Sequence, residues 1–193
     1  MMYYIIDSIS GESALVQILF LRKNRGIVPL NMGKNGGGEC CMIALACDHT
    51  GVALKREIAG MLDEMGLEWE DFGNTDVNDR NDDYPVYGYK AACAVASGKC
   101  DRGILICGTG VGIGIAAGKV KGIRVCTCSD VYTAELSKRH NNSNILTMGA
   151  RVVGSELAKM IARHWLTAEF EGGRHQRRID MIAAIEEGRS PEA

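Results

Sequence analysis

From Met42 to the end of the chain, apolar residues fall into two alternating patterns. Segments of strand length occur at Met42–Cys47, Leu67–Phe72, 103–107 (GILIC), 122–128 (GIRVCTC) and 144–148, the first and third of them unbroken apolar runs, and each predicts a β-strand. Between them the apolar positions recur at helical spacing. Leu54, Ile58, Met61, Leu62 and Met65 outline a helix stopped by Gly66. Further helices are expected over 86–97, 113–119, 130–139, 155–167 and about 174–187. Strict strand–helix alternation with apolar strands implies a five-stranded parallel sheet covered by helices on both faces. In such sheets ligands bind beyond the carboxyl ends of the strands, so function is sought at the strand exits.

Residues 1–41 have a different texture: MMYYII, a short apolar run, then the turn-rich NMGKNGGGECC. The regular pattern begins at a methionine, and the Gly-Gly-Gly-Glu stretch could be written in purine-rich codons that hide a ribosome-binding site. Residues 1–41 are therefore read as an N-terminal extension outside the fold, arising from an upstream start, and 42–193 as the domain. The competing reading is an extension that packs on the domain or on a partner.

Composition narrows the class. The net charge of −2, from 22 Lys and Arg against 24 Asp and Glu, gives no global field toward nucleic acid or an anionic membrane, so any bound anion needs a local site. The apolar stretch Ala14–Leu21 is too short to span a bilayer, and acidic Asp7 and Glu12 precede it where a secretory signal would carry basic residues. The 8 cysteines sit mostly in apolar runs, with no C-x-x-C pair and no zinc-site spacing with histidine. This usage fits free thiols in a reducing cytoplasm rather than a disulfide framework or a metal centre.

Three strand exits carry polar chemistry: Asp48-His49, Cys107-Gly108-Thr109-Gly110 and Ser129-Asp130. In CGTGVGIG (107–114) a thiol stands where an apolar strand yields to a glycine loop that opens a helix. The helix N-terminus favours negative charge, which suits a thiolate at Cys107 and an oxyanion above the loop amides. The plainer alternative is a tight turn with a buried cysteine. A dinucleotide fingerprint starting at Gly108 fails at Ile113; Gly112, Gly114 and Ala117 fit its spacing but are expected within the helix. A P-loop fails because Val120, not Ser or Thr, follows Lys119. Asp48 could merely cap a helix, and His140-Asn141-Asn142 could merely end one. Arg174 and Arg178, four apart, share a helix face and could grip a phosphate, while Arg177 faces elsewhere.

Taken together, CDHTG (47–51), DYP (83–85), ILICGTGVGIGIAAGK (104–119), HNNSN (140–144), GARVVG (149–154) and EGGRHQRR (171–178) resemble the type B ribose-5-phosphate isomerase family, grouped with allose- and galactose-6-phosphate isomerases. The resemblance spans 42–189. It implies a three-layer α/β/α Rossmann-like fold, no metal or organic cofactor, and a homodimer, or a tetramer of paired dimers, whose active sites combine residues of both subunits. Cys107 would be the base that moves a proton between C2 and C1 of the open-chain sugar. Thr109 and the amides of Gly108, Gly110 and Gly112 would hold the enediolate oxygens, and His140 would open the furanose ring with Asp48 near the ring oxygen. Tyr84 and Asn141 would orient hydroxyls. His49, Arg151, Arg174 and Arg178 would surround the phosphate, some from the partner subunit. The implied reaction interconverts D-ribose 5-phosphate and D-ribulose 5-phosphate in the pentose phosphate pathway, with loop 73–83 influencing the sugar accepted. The rivals are another aldose–ketose phosphate pair and a nucleotide-binding module that uses the glycine loop without turnover.

Overall fold

A computed structural model describes residues 41–79 and 81–192. The reading of 1–41 as an extension outside the fold falls, Cys41 apart, on residues outside that range.

The described chain runs β1 (Met42–Cys47), a 3-10 turn (His49–Gly51), α1 (Val52–Glu64), β2 (Glu68–Asp71), α2 (Tyr84–Ala96), β3 (Arg102–Cys107), α3 (Val111–Ala117), β4 (Val125–Thr127), α4 (Val131–Asn141), β5 (Ile145–Gly149), α5 (Ser155–Thr167) and α6 (Arg174–Glu186). All strand pairs are parallel, in the order β2-β1-β3-β5-β4. Alternate strand residues serve two cores, as the two-residue period of a strand requires. Ile43, Leu45, Ile104, Ile106, Leu146 and Met148 pack with Ile58, Leu62, Ala134, Ile161 and Trp165 on the face covered by α1, α4 and α5. Ala44, Ala46, Leu105, Cys107 and Ile145 face α2 and α3 with Ala91, Ala92, Val95 and Ile113. The alanines on this side let the Ala-rich α2 sit close to the sheet. The result is a three-layer α/β/α sandwich.

β1 has β2 on one side and β3 on the other, so the crossovers on its two sides use opposite faces, and a crevice opens beyond the carboxyl ends of β1 and β3. Asp48 and Cys107 stand at those two ends.

Most elements match the sequence expectation, but the fourth strand does not reach over 122–128. Only Val125–Thr127 pairs, because β4 is an edge strand with β5 as its single neighbour. Gly122 turns with φ +82°, and the amide of Arg124 donates to Asn144 Oδ1 at 2.8 Å instead of joining a ladder. The helix expected at 113–119 begins earlier, at Val111, because Gly110 takes a left-handed conformation (φ 81°) and starts the turn there. Of the described cysteines, Cys47, Cys93, Cys100, Cys107, Cys126 and Cys128 are free thiols. Among the described residues no helix is long and apolar enough to cross a membrane.

Candidate active site

The carboxyl end of β3 is held mainly by backbone. Cys107, 4% exposed, closes the strand, and its Sγ accepts a hydrogen bond from the Gly110 amide at 3.2 Å. The carbonyl of Cys107 accepts from Ala150 N at 2.8 Å and that of Gly108 from Arg151 N at 3.1 Å, so the loop after β5 interlocks with the loop after β3. No side chain fits between them. A Cβ on Gly110 would come within 2.7 Å of the Met148 backbone, and one on Gly149 within 2.7 Å of Thr109.

Around this knot stand the exposed residues of the expected site. The Arg151 guanidinium lies beside Gly108, where a Cβ would be 3.6 Å from its Nη1. The Tyr84 ring lies on Gly112, where a Cβ would meet it at 2.7 Å. Thr109 is exposed on the loop, and its Oγ1 accepts from Val111 N at 3.4 Å. Gly112, Gly114 and Ala117 all lie inside α3, and a Cβ on Gly114 would come within 3.1 Å of the hydroxyls of Thr127 and Thr147. Their smallness serves close packing of helix on sheet.

At the neighbouring exit, Asp48 does cap the following turn. Its Oδ1 accepts from Thr50 N at 2.9 Å, Thr50 Oγ1 at 2.5 Å and Gly51 N at 3.2 Å. The His49 ring is bound through Nδ1 by Asp82, whose side chain is fully buried. Burial alone would raise the Asp82 carboxyl, but hydrogen bonds from Asn74 and His49 outweigh it and hold the group below the ordinary carboxylate value.

His140, Asn141, Arg174 and Arg178 form a second group elsewhere. α4 runs back against the strands, so its last turn, which carries His140, lies at the amino end of the sheet. There Arg124, just before β4, donates through Nε to the carbonyls of Asn141 (3.2 Å) and Asn142 (3.0 Å). Asn142 (φ 45°) caps the helix, its N–H returning to Lys138 O. Six residues of β3 separate this end from Cys107, a span of about 17 Å. Within one protomer the two groups do not meet.

The second group is tied by side chains. His140 stacks on His175, centroids 4.2 Å apart and planes within 3°. Glu171 Oε2 stands 3.6 Å from Nε2 of each ring, while Arg139 Nε holds Glu171 Oε1 at 2.8 Å and keeps this carboxyl below its usual range. Burial, with His140 and Arg174 nearby, lowers the His175 imidazole. The donor atoms of His140, Glu171 and His175 lie within 4.8 Å of one another, a spacing a metal ion could use. Parallel rings do not aim their lone pairs at one point, however, and Arg174 Nε lies 3.4 Å from His175 Nε2. Arg178 is exposed one turn further along α6.

Sequence reasoning passed over Asp82, Glu171 and His175. Asp82 sat in a polar loop with no spacing that tied it to His49. Glu171 and His175 were part of a quoted motif, but only the fold shows that they meet α4.

The match to a family model follows this geometry. Residues 43–182 match the Ribose/Galactose Isomerase model, and the chain belongs to that family. It is 54% identical over 148 residues to ribose-5-phosphate isomerase B of Escherichia coli, covering 77% of this chain and 98% of that one. A solved ribose-5-phosphate isomerase B from Clostridium thermocellum superposes with TM-score 0.74 at 52% identity, over 76% of this chain and 98% of that one. The Mycoplasma genitalium enzyme, solved with bound ribulose-5-phosphate, gives TM-score 0.72 at 42% identity, over 76% and 96%.

Proposed function

We propose that the protein interconverts D-ribose 5-phosphate and D-ribulose 5-phosphate through an enediolate, in the cytoplasm and as part of the pentose phosphate pathway. The observation that carries this reading is the Cys107 loop, where one strand exit gathers a thiol, glycine-loop amides and the Arg151 guanidinium.

A proton next to a carbonyl is weakly acidic, so a base must be paired with fixed donors for the oxyanion that forms. Cys107, as thiolate, takes the C2 proton of the aldose; the C–H electron pair becomes the C1–C2 double bond, and the carbonyl pair moves onto O1. Thr109 and the loop amides from Gly108 to Gly112 hold the enediolate oxygens; the O2 hydroxyl proton passes to O1, the C2 oxygen becomes a carbonyl, and the electron pair of the C1–C2 double bond takes the proton back from Cys107 onto C1. Tyr84, leaning on Gly112, orients a hydroxyl, with Asp48 beside the ring oxygen. His49 and Arg151 grip the phosphate, which lies far from the reacting carbons and contributes binding energy that positions them.

The active unit is a homodimer. His140, to open the ring, Asn141, to orient a hydroxyl, and Arg174 and Arg178, on the phosphate, come from the partner, because a single protomer keeps them at the far end of its sheet. The domain that does this is 42–193.

A panel of pentose, hexose and tetrose phosphates assayed for aldose–ketose conversion tests the reading. Ribose 5-phosphate should give the highest kcat/KM, and absence of turnover on every sugar phosphate would contradict it.

A further inference from the structure

Asp82 ends the loop between β2 and α2, and nothing in the reaction above uses it. Its neighbours Asn81 and Asp83 are exposed, yet its own side chain is fully buried. It accepts from the His49 main-chain N–H, from His49 Nδ1, and from Asn74 Nδ2 at 2.8 Å. Asn74 is buried in turn, and its carbonyl takes Lys55 Nζ at 2.8 Å and the Cys47 thiol at 3.4 Å. Lys55, 4% exposed, is clamped on Asp71 at 2.8 Å. A row of buried polar groups thus runs from α1, past the exit of β2, to the His49 ring.

Burying a carboxylate is costly unless its oxygens are filled, and here one is filled by the His49 ring and the other by the His49 main-chain N–H and Asn74 Nδ2. A carboxylate can only accept, so the ring must carry its hydrogen on Nδ1, which leaves Nε2 to face outward. His49 Nε2 makes no hydrogen bond among the described residues.

We propose that Asp82 is a positioning residue: it fixes His49 with Nδ1 protonated and Nε2 turned to the substrate, so that the loop before α2 sets the grip on the phosphate. This rests on the isomerase reading and deepens it. When both ring nitrogens carry protons, Nε2–H donates to the phosphate and Asp82 balances the imidazolium charge. The loop thereby tunes substrate binding without touching the Cys107 centre.

The test is Asp82→Asn, which offers one acceptor oxygen where Asp82 uses two, and so cannot serve the ring and both amide donors together. Nitrogen-15 NMR, with His49 assigned through His49→Gln, should show neutral His49 as the Nδ1–H tautomer in the wild type. In Asp82→Asn it should move toward the Nε2–H form. With ribose 5-phosphate the variant should raise KM about tenfold, the loss of one charge-assisted hydrogen bond, and leave kcat within about threefold. A wild-type Nε2–H tautomer, an unchanged KM, or a fall in kcat at constant KM would each overturn the proposal. The wild-type tautomer is read on free protein. It therefore judges Asp82 even if no sugar phosphate were turned over, an outcome that would instead defeat the isomerase reading.

Discussion

At the carboxyl end of the sheet the Cys107 thiol is held by main chain: an amide on the sulfur, two carbonyls bonded across to the next loop, and glycines where no side chain fits. At the amino end the candidate groups are held by side chains: a histidine stack, a shared glutamate and flanking arginines, on the rims of α4 and α6. The first arrangement suits chemistry that needs donors fixed to a fraction of an ångström. The second suits groups that must present charge outward to another surface. On the proposed reading each is half of a site, and the difference predicts which half tolerates change.

Gly110→Ala tests the rigid half most severely. A left-handed alanine plus overlap with the Met148 backbone should cost about 2–5 kcal/mol in urea unfolding. At Gly172 on the other half, with φ +63° and open space around it, alanine should cost only about 1 kcal/mol. Equal costs would erase the contrast.

A smaller effect separates two arginines on α6. Arg178→Ala should raise KM for ribose 5-phosphate roughly tenfold or more, the loss of a charged hydrogen bond. Arg177→Ala, on another face, should leave KM nearly unchanged. Matching effects would argue against the shared-face phosphate grip.

The smallest effect is a pH dependence confined to the amino end. The folded His175 imidazole lies below its ordinary value, so on acidification the unfolded chain takes up a proton that the folded one resists. Stability should therefore fall as pH drops below about 6.5, the unperturbed histidine value, and His175→Asn should flatten that part of the unfolding-midpoint profile. An identical profile in the variant would remove His175 from the account.

Much of this was legible in the sequence where local pattern decides structure. MIALAC and GILIC are strands because every residue can be buried, and α5 is a helix because Ala158, Ile161, Ala162 and Trp165 recur on one face. The glycine loop was legible for the same reason, since the strand end, the thiol and the glycines are contiguous in the sequence. The short β4 was not, because an edge strand loses pairing for reasons that lie in its neighbour. The Asp82–His49 contact was not, because the two residues stand 33 positions apart in sequence with two elements between them. Nor did spacing alone separate the two halves of the site, although a helix that precedes a parallel strand must end at that strand's amino side. That rule alone puts His140 and Cys107 at opposite ends.

The central claim is that a working site joins Cys107 of one copy to His140 of another, and mixing two crippled variants tests it directly. Cys107→Ala and His140→Ala should each be nearly inactive alone. Refolded together in equal amounts, they should recover about a quarter of wild-type activity, since half the dimers are mixed and each mixed dimer holds one intact site. Recovery of no activity, with mixed dimers demonstrably formed, would contradict the account.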